Sequence, residues 1–278
     1  MLVNFWRGYQ GIGWHQYDKD DIVHTDTVHG FGPDGNAPRR KLHARLRPQP
    51  FFGNLRSAKI FILGGNPCCI PADEETQRNE KFNEYNEMHL ATLRGEVQGF
   101  APIDRRANKT GAATYWRKRL RRIARAVYNA VHKNNPTARR LSRDQDDQPA
   151  FDAIAPFVAV IEASAYPSLN KPPVWVDDLR SSRQARRYVQ EVLRPRAELG
   201  EIVVIAWRRP ELWGLEPIAN QIFVRNLRNT QTYPIVRDER ERVIQVLTEA
   251  VTNQVVVPTP TSLVRGPSSN GTESPIEP

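Results

Sequence analysis

One short segment combines an unusually free backbone with a single amide side chain. It reads 63-LGGNPCC-69, in which Gly64 and Gly65 precede Asn66 and Pro67. Glycine lets the backbone approach a bound molecule closely, and an amide can donate and accept hydrogen bonds. The segment lacks the G-x-G-x-x-G dinucleotide fingerprint and the G-x-x-x-x-G-K-[ST] phosphate loop. It is therefore a candidate ligand-contacting loop of another kind, with an ordinary turn as the alternative.

The basic residues are distributed unevenly along the chain. Forty Lys and Arg stand against 31 Asp and Glu, which gives a net charge of +9. Between Arg105 and Arg143 there are 13 basic residues and no acidic residue. Such a stretch repels itself unless phosphates or other acidic groups face it, so it favours nucleic acid as a partner. A solvated helix face is the alternative.

The composition excludes several other classes of protein. Apolar residues make up 39% and charged residues 26%, as in an ordinary globular protein. No apolar run approaches the roughly 20 residues that span a bilayer, and the N-terminus lacks the apolar core of a secretory signal. The adjacent Cys68 and Cys69 cannot by themselves form a disulfide framework, a four-cysteine zinc site or an iron–sulfur cluster. We expect a cytoplasmic, monomeric protein with no metal, no cofactor and no membrane partner.

Four short apolar runs alternate with helical patterns, and these elements must position the loop. The runs predict buried strands at 58–63, 157–163, 202–207 and 221–225, and helices are predicted at 76–94, 114–133, 182–194 and 238–251. This alternation predicts an α/β protein, a three-layer α/β/α sandwich with a central four-stranded, mostly parallel sheet. We expect an irregular N-terminal arm at 1–50, the α/β domain at 51–255 and a disordered tail at 256–278.

The helix at 114–133 carries an apolar stripe and a basic remainder. The stripe begins at Trp116 and continues through Leu120, Ile123 and Val127 to Val131. We expect the stripe to face the core and the rest to face phosphates. The predicted DNA-contacting residues here are Trp116, Arg117, Lys118, Arg119, Arg121, Arg122 and Arg125.

Ligands of such sheets bind outside the carboxyl ends of the strands. Tyr166 and Ser168 follow the second strand, where they would stack on a base or bind its edge, unless they form a plain Tyr-Pro turn. Arg208 and Arg209 follow the third strand, where they would bind phosphate, unless they are merely exposed.

Five segments taken together resemble the uracil-DNA glycosylase superfamily, in a divergent prokaryotic branch. The resemblance covers about 50–250, and no single motif is specific; the order and spacing carry it. The segments are 50-PFFGNLRSAKIFILGGNP-67, 115-YWRKRLRRI-123, 158-VAVIEASAYPS-168, 203-VVIAWRRPELWG-214 and 223-FVRNLRNTQTYP-234. The Gly-Gly-Asn-Pro loop is similar to that of the Asn-containing, mismatch-specific members.

The second family motif, a His-Pro-Ser or Asn-Pro-Ser loop, is present only as 226-NLRNTQ-231, without His or Pro. Its residues Asn226, Arg228 and Asn229 would grip the nucleotide's phosphate or the departing base, with a solvated loop as the alternative. Because of this departure, the resemblance does not imply uracil as the substrate. The pattern resembles that of an anti-phage glycosylase acting on glucosylated hydroxymethylcytosine, so a hypermodified cytosine in double-stranded DNA is the expected target.

The resemblance also implies a mechanism. A glycosylase flips the nucleotide out of the stack, and water then attacks C1′ of the sugar. Asn66 would hold that water, with capping of its own turn as the alternative, and Gly64, Gly65 and Pro67 would contact the nucleotide. Uracil-excising relatives carry an Asn near Glu162, and an ionised carboxylate there would suit the exocyclic amine of cytosine. An ion pair with a nearby Arg is the alternative for Glu162.

Two other functions fit the same residues. A non-catalytic module could use this fold to bind modified DNA, and a hydrolase or transferase could act on a free nucleotide. The first would be insensitive to replacement of Asn66, and the second would show no salt-sensitive binding to a duplex.

Overall fold

The helices and strands are interleaved along the chain. A computed structural model describes residues 1–9, 14–19, 21–22, 27–28, 41–43, 45–68, 70–96, 99–133, 141, 146–168, 172–225, 235 and 237–256. The strands are β1 (Thr27–Val28), β2 (Leu42–His43), β3 (Phe51–Phe52), β4 (Ile60–Gly64), β5 (Val158–Glu162), β6 (Val203–Ala206) and β7 (Ile222–Val224). The α-helices are α1 (Leu2–Trp6), α2 (Pro71–Arg78), α3 (Asn83–Arg94), α4 (Gly111–Val131), α5 (Gln148–Ile154), α6 (Arg180–Tyr188), α7 (Arg194–Glu198), α8 (Pro210–Trp213) and α9 (Arg237–Val256).

The central sheet has five strands in the order β3-β5-β4-β6-β7. The four predicted strands are all present, and they pair in parallel. The fifth, β3, pairs antiparallel with β5 at the sheet edge, Phe51 opposite Ile161. The α/β class is confirmed. The prediction of a four-stranded, mostly parallel sheet was wrong, because the two-residue edge strand makes a five-stranded sheet of mixed pairing.

Helices cover both faces of this sheet. In β4, Ile60 and Ile62 pack with residues of α4, α5 and α9, whereas Phe61 and Leu63 pack with residues of α1, α6 and α7. Every residue of β4, β5 and β6 is buried. A strand buried on both faces is apolar throughout rather than alternating, which explains the continuous apolar runs in the sequence.

Helix α4 follows the predicted pattern. Thr110 caps it, because its hydroxyl accepts a hydrogen bond from the backbone N–H of Ala113 at 3.0 Å. The stripe from Trp116 to Val127 is buried against the sheet. The helix begins three residues earlier than the pattern indicates. Its first turn lies near the carboxyl end of β4.

Two predicted helices are interrupted. The helix predicted at 76–94 is divided into α2 and α3, because Asn79 adopts an extended backbone and its side chain accepts a hydrogen bond from the N–H of Lys81. The helix predicted at 182–194 passes through a π-helical turn at Val189–Leu193 and continues into α7. Proline lacks a backbone N–H, and the wider turn accommodates Pro195 without ending the helix.

The N-terminal residues contribute to the core. Residues 2–6 form α1, and Leu2 and Trp6 are fully buried in the core. Asp18 links this part of the chain to the sheet domain, since it accepts hydrogen bonds from the Tyr166 hydroxyl at 2.8 Å and the Ser181 N–H at 3.1 Å. The predicted tail lies outside the described residues from residue 257 onward.

Candidate functional site

A cavity of about 260 Å³ lies at the carboxyl ends of β4, β5 and β6. This is just below the range of about 300–1,000 Å³ that is usual for small-molecule sites. Its wall joins the strand ends to α2, α3 and the first turns of α4. The lining residues are Gln49, Phe52, Gly64, Asn66, Pro67, Cys68, Ile70, Asp73, Thr76, Gln77, Tyr85, Asn86, His89, Thr110, Gly111, Ala112, Tyr115, Trp116, Glu162, Trp207 and Arg208.

Gly64 and Glu162 are partners in the parallel ladder between β4 and β5. The carboxyl group of Glu162 lies over Gly64, so that a Cβ on residue 64 would be 2.1 Å from Oε2. No side chain other than hydrogen fits in that space. The glycine at position 64 is therefore required for the position of the carboxyl group, which is a role that the sequence motif alone does not show.

Burial determines the charge of Glu162. The residue is 9% exposed, and its Oε2 has no hydrogen-bond partner among the described residues. Desolvation raises the pKa of this carboxyl to about 8, and the nearby positive charge of Arg208 opposes the shift without cancelling it. The alternative considered above, an ion pair with an Arg, is not formed with any described residue. At neutral pH the group is mostly protonated, so the expectation of an acceptor-only carboxylate is corrected to one donor and one acceptor.

Asn66 lines the same cavity with its amide held in place. Its Nδ2 donates hydrogen bonds to Ser168 Oγ at 2.9 Å and to the Pro67 carbonyl at 3.0 Å. Both amide hydrogens are thus used, which fixes the orientation of the side chain. Ser168 does not line the cavity, but it positions Asn66. The bond to Pro67 is the turn-capping contact considered above, so Asn66 has this local role in addition to its place in the cavity wall.

Aromatic rings form much of the wall. The rings of Phe52 and His89 are tilted by 31° with their centroids 5.3 Å apart, and the centroids of Tyr115 and Trp207 are 6.5 Å apart. Desolvation lowers the pKa of His89 to about 3, so this imidazole is neutral, and its buried Nε2 has no hydrogen-bond partner among the described residues. Flat apolar walls with a few polar groups suit a planar heteroaromatic ligand.

The two predicted phosphate-binding arginines differ in their surroundings. Arg208 is exposed at the cavity, with its guanidinium 4.5 Å from the centroid of the Trp207 ring, and no described carboxylate pairs with it. Arg209 has a positive φ of 51° and makes two hydrogen bonds to the carboxylate of Asp177, at 2.7 and 2.5 Å. It also packs against Gly65. Arg208 is available to a ligand, whereas Arg209 is committed to Asp177.

Tyr166 does not reach the cavity. It is fully buried, and its hydroxyl donates to Asp18 and accepts from the N–H of His15 at 3.2 Å. Trp14 packs edge-on against its ring. These contacts place Tyr166 in the core, where it cannot stack on a base, and we leave it out of the candidate site.

The basic surface of α4 is smaller than predicted. Arg121 and Arg125 both pair with Asp147, just before α5. Arg117 is half-buried and donates to the carbonyl of Ile103 and the side chain of Gln148. These contacts hold α4 to its neighbours and occupy part of the donor capacity of each guanidinium.

The remaining predicted DNA contacts of α4 are Trp116, Lys118, Arg119 and Arg122. Arg119 lies over the Tyr115 ring, 3.2 Å from its centroid, and Trp116 is buried in the cavity wall. Lys118 and Arg122 are exposed, and no described carboxylate pairs with them. These two side chains, together with Arg208, remain as candidate phosphate contacts.

Sequence reasoning missed the part of the wall that α2 and α3 supply. Asp73 accepts a hydrogen bond from the Ile70 N–H at 2.8 Å, and burial raises the pKa of its carboxyl to about 6. The apolar stripe of the predicted helix at 76–94 includes Tyr85 and His89, which was the available signal. The predicted Asn226, Arg228 and Asn229 lie outside the described residues.

Protein-family models, curated proteins and solved structures were compared with this chain. None of them matches it. Within the described residues, no group of three or more His, Cys, Asp or Glu side chains is arranged to hold a metal ion, and no helix is long and apolar enough to cross a membrane. The arrangement of the cavity residues therefore carries the functional argument.

Proposed function

We propose that the protein is a monofunctional DNA glycosylase that flips a modified cytosine out of double-stranded DNA and excises it. The observation that carries the proposal is the carboxyl group of Glu162, which is held over Gly64 in the same aromatic-walled cavity as Asn66. The arrangement of helices on both faces of the sheet is compatible with the three-layer, uracil-DNA glycosylase-like sandwich that the sequence resembles.

Recognition of a cytosine ring follows from the protonation state of Glu162. A carboxylic acid can donate its O–H to the ring nitrogen N3, which is an acceptor, and accept a hydrogen bond from the exocyclic amine. The carboxylic acid and the cytosine edge therefore form two complementary hydrogen bonds. Rings such as Phe52 and Tyr115 would then contact the faces of the base and offset part of the cost of unstacking, which is a few kcal/mol.

The same carboxyl supplies an acid for the reaction. As the bond between sugar C1′ and base N1 breaks, its electron pair moves onto the base and the Glu162 proton moves to N3. Water held by Asn66 adds to C1′ and releases one proton, which returns to the Glu162 carboxylate through solvent. The products are the neutral base and an abasic site. Asn66 is a poor base, which is sufficient because the sugar already carries oxocarbenium-like charge when water attacks.

DNA binding would come from exposed cations on α4 and at the cavity. Lys118 and Arg122 on α4 and Arg208 at the cavity are the described candidates. Neutralising phosphates releases counterions, so affinity should fall steeply as salt concentration rises. A glucosylated hydroxymethylcytosine remains the specific base that we propose.

The test is excision from duplexes that each carry one modified base. Purified protein is incubated with duplexes containing cytosine, uracil, 5-hydroxymethylcytosine or its glucosylated form, and abasic sites are revealed by alkaline strand cleavage. We expect cleavage at a cytosine derivative, and a loss of cleavage in Asn66→Ala with retained binding. Tight binding without cleavage would instead identify a non-catalytic DNA-binding module. Efficient excision of uracil alone would refute the role of Glu162.

A further inference from the structure

Asp73 is the second carboxyl group of the cavity, and the mechanism above does not use it. We propose that Asp73 is a specificity residue that binds a hydrogen-bond-donating substituent, a hydroxyl or an amine, carried by the target base at its C5 position. This inference rests on the proposed function, since it assumes a base bound at Glu162.

The carboxyl group of Asp73 has one oxygen available. Its Oδ2 accepts the Ile70 N–H at 2.8 Å. Its Oδ1 lies close to the start of α4, where a Cβ on Gly111 would be 2.9 Å away. No described residue forms an ion pair with Asp73 or donates a second hydrogen bond to it. The group is thus an acceptor with unused capacity in the wall of the cavity.

The two carboxyl groups occupy separate parts of the cavity. The Glu162 carboxyl lies against Gly64, and the positive charge of Arg208 acts on it. The Asp73 carboxyl lies against Gly111. Burial raises the pKa of Tyr85, and the negative charge of Asp73 adds to that shift. A base that pairs with Glu162 therefore leaves the Asp73 region to another part of the ligand.

The chemistry of that region selects what can enter it. A partly buried carboxylate with no cation beside it repels phosphate, so it suits a neutral or cationic donor. Asn86 is already bonded to the Thr76 carbonyl at 2.9 Å, whereas the buried Nε2 of His89 has no partner among the described residues. The pairing edge of the base is at Glu162 and its sugar is at Asn66. C5 is the pyrimidine position whose substituent points away from both the pairing edge and the sugar.

The test compares two duplexes that differ by one hydroxyl group. One carries 5-hydroxymethylcytosine and the other 5-methylcytosine, and both binding and single-turnover excision are measured. The wild-type protein should prefer the hydroxymethyl base by about tenfold or more, which is about 1.4 kcal/mol. Asp73→Asn can still accept the Ile70 N–H hydrogen bond but is a weaker acceptor for the ligand, and Asp73→Ala removes both acceptor oxygens. The preference should therefore be smaller in Asp73→Asn than in the wild type, and close to unity in Asp73→Ala. Glu75→Gln, on the exposed side of the same helix, is the matched control and should keep the preference.

The pH dependence of the wild-type preference tests the inference without any substitution. Asp73 is ionised above about pH 6, so the preference should weaken as pH falls from 7 to 5. Burial keeps Tyr85 and Glu162 protonated and His89 neutral over this range. A binding preference that disappears in Asp73→Ala supports the subsite even if no base is excised, in which case only the glycosylase proposal fails. An equal preference in wild type and Asp73→Ala, or no preference in the wild type, overturns the subsite.

Discussion

The carboxyl group of Glu162 lies directly over the backbone of Gly64, so close that a Cβ at residue 64 would be 2.1 Å from its Oε2. Gly64→Ala should displace this carboxyl, because the strand backbone cannot move without breaking its ladder. We expect little destabilisation, because the atoms that must move are the end of a flexible side chain, and a loss of excision of at least about tenfold. Chemical denaturation and single-turnover excision measure the two effects.

The matched control for this substitution is Gly8→Ala, because nothing lies within 4 Å of a Cβ at residue 8. It should change neither quantity. Full excision by a folded Gly64→Ala protein would show that the position of the Glu162 carboxyl does not matter.

Glu162→Gln should separate activity from stability. The folded-state pKa of Glu162 is raised from 4.5 to about 8, so the fold favours the protonated group. This favourable contribution is complete below pH 4.5 and is lost progressively as pH rises to about 8. Each pKa unit corresponds to about 1.4 kcal/mol. The variant should therefore match the wild type in stability near pH 4 and exceed it by a few kcal/mol at pH 9, while excision falls by about 100-fold or more through loss of the acid.

Glu239 provides a buried glutamate for comparison. It pairs with Arg225, so Glu239→Gln should destabilise the fold by about 3–5 kcal/mol at neutral pH. Denaturation curves at pH 5, 7 and 9 distinguish the two glutamates. A Glu162→Gln protein that is less stable than the wild type at pH 9 would indicate an ion-paired structural role.

Excision by the wild-type protein should decline as pH rises through about 8, because ionised Glu162 can no longer donate a proton to the base. Rate constants measured from pH 6 to 9.5 under single-turnover conditions test this. A rate that continues to rise to pH 9.5 would argue against an acid at this position.

Ser168 should affect catalysis only through Asn66. Ser168→Ala removes the hydroxyl that accepts the Nδ2 hydrogen bond, so the amide can rotate, and we expect excision to fall by about three- to tenfold with little change in DNA affinity. Ser182 is also buried, and its hydroxyl bonds to the Val176 carbonyl away from the cavity. Ser182→Ala should cost about 1 kcal/mol of stability and leave excision unchanged. Equal losses of excision in the two variants would show that Ser168 has no specific role.

DNA affinity should depend on the unpaired cations of α4. Lys118→Glu with Arg122→Glu should weaken binding to all sequences and flatten the dependence of log affinity on log salt. Arg187→Glu with Arg194→Glu, on α6 and α7, makes the same charge change at residues that already pair with glutamates. Fluorescence anisotropy at four salt concentrations gives the slopes. Identical slopes for wild type and the α4 variant would place the DNA elsewhere.

The strands of the sheet could be predicted because they are buried on both faces. Such strands are continuous apolar runs, and β4, β5 and β6 each appear as one in the sequence. The edge strand β3 has only two residues and carries no such signal. Strand ends also predicted the location of Gly64, Asn66 and Glu162 in one cavity, because parallel strands bring their carboxyl ends together.

The remaining site residues depend on tertiary contacts that the sequence does not show. Asp73 has the local pattern of a helix-capping residue, and only the packing of α2 against α4 places it in a cavity. Arg117, Arg121 and Arg125 form a basic pattern, but their partners are distant in the chain. These partners are Ile103, Asp147 and Gln148. Charge patterns identify cations and do not reveal which of them are paired within the fold.

Hydrolytic release of an intact base from DNA is measured by mass analysis of both reaction products. A duplex with a single 5-modified cytosine is incubated with the wild-type protein, and the released base and the DNA strand are weighed by mass spectrometry. We predict an intact free base and an unbroken abasic strand with a hydroxyl at C1′, both formed at least about 100-fold more slowly by Glu162→Gln. DNA that is bound tightly but recovered with every modified base still attached would contradict it.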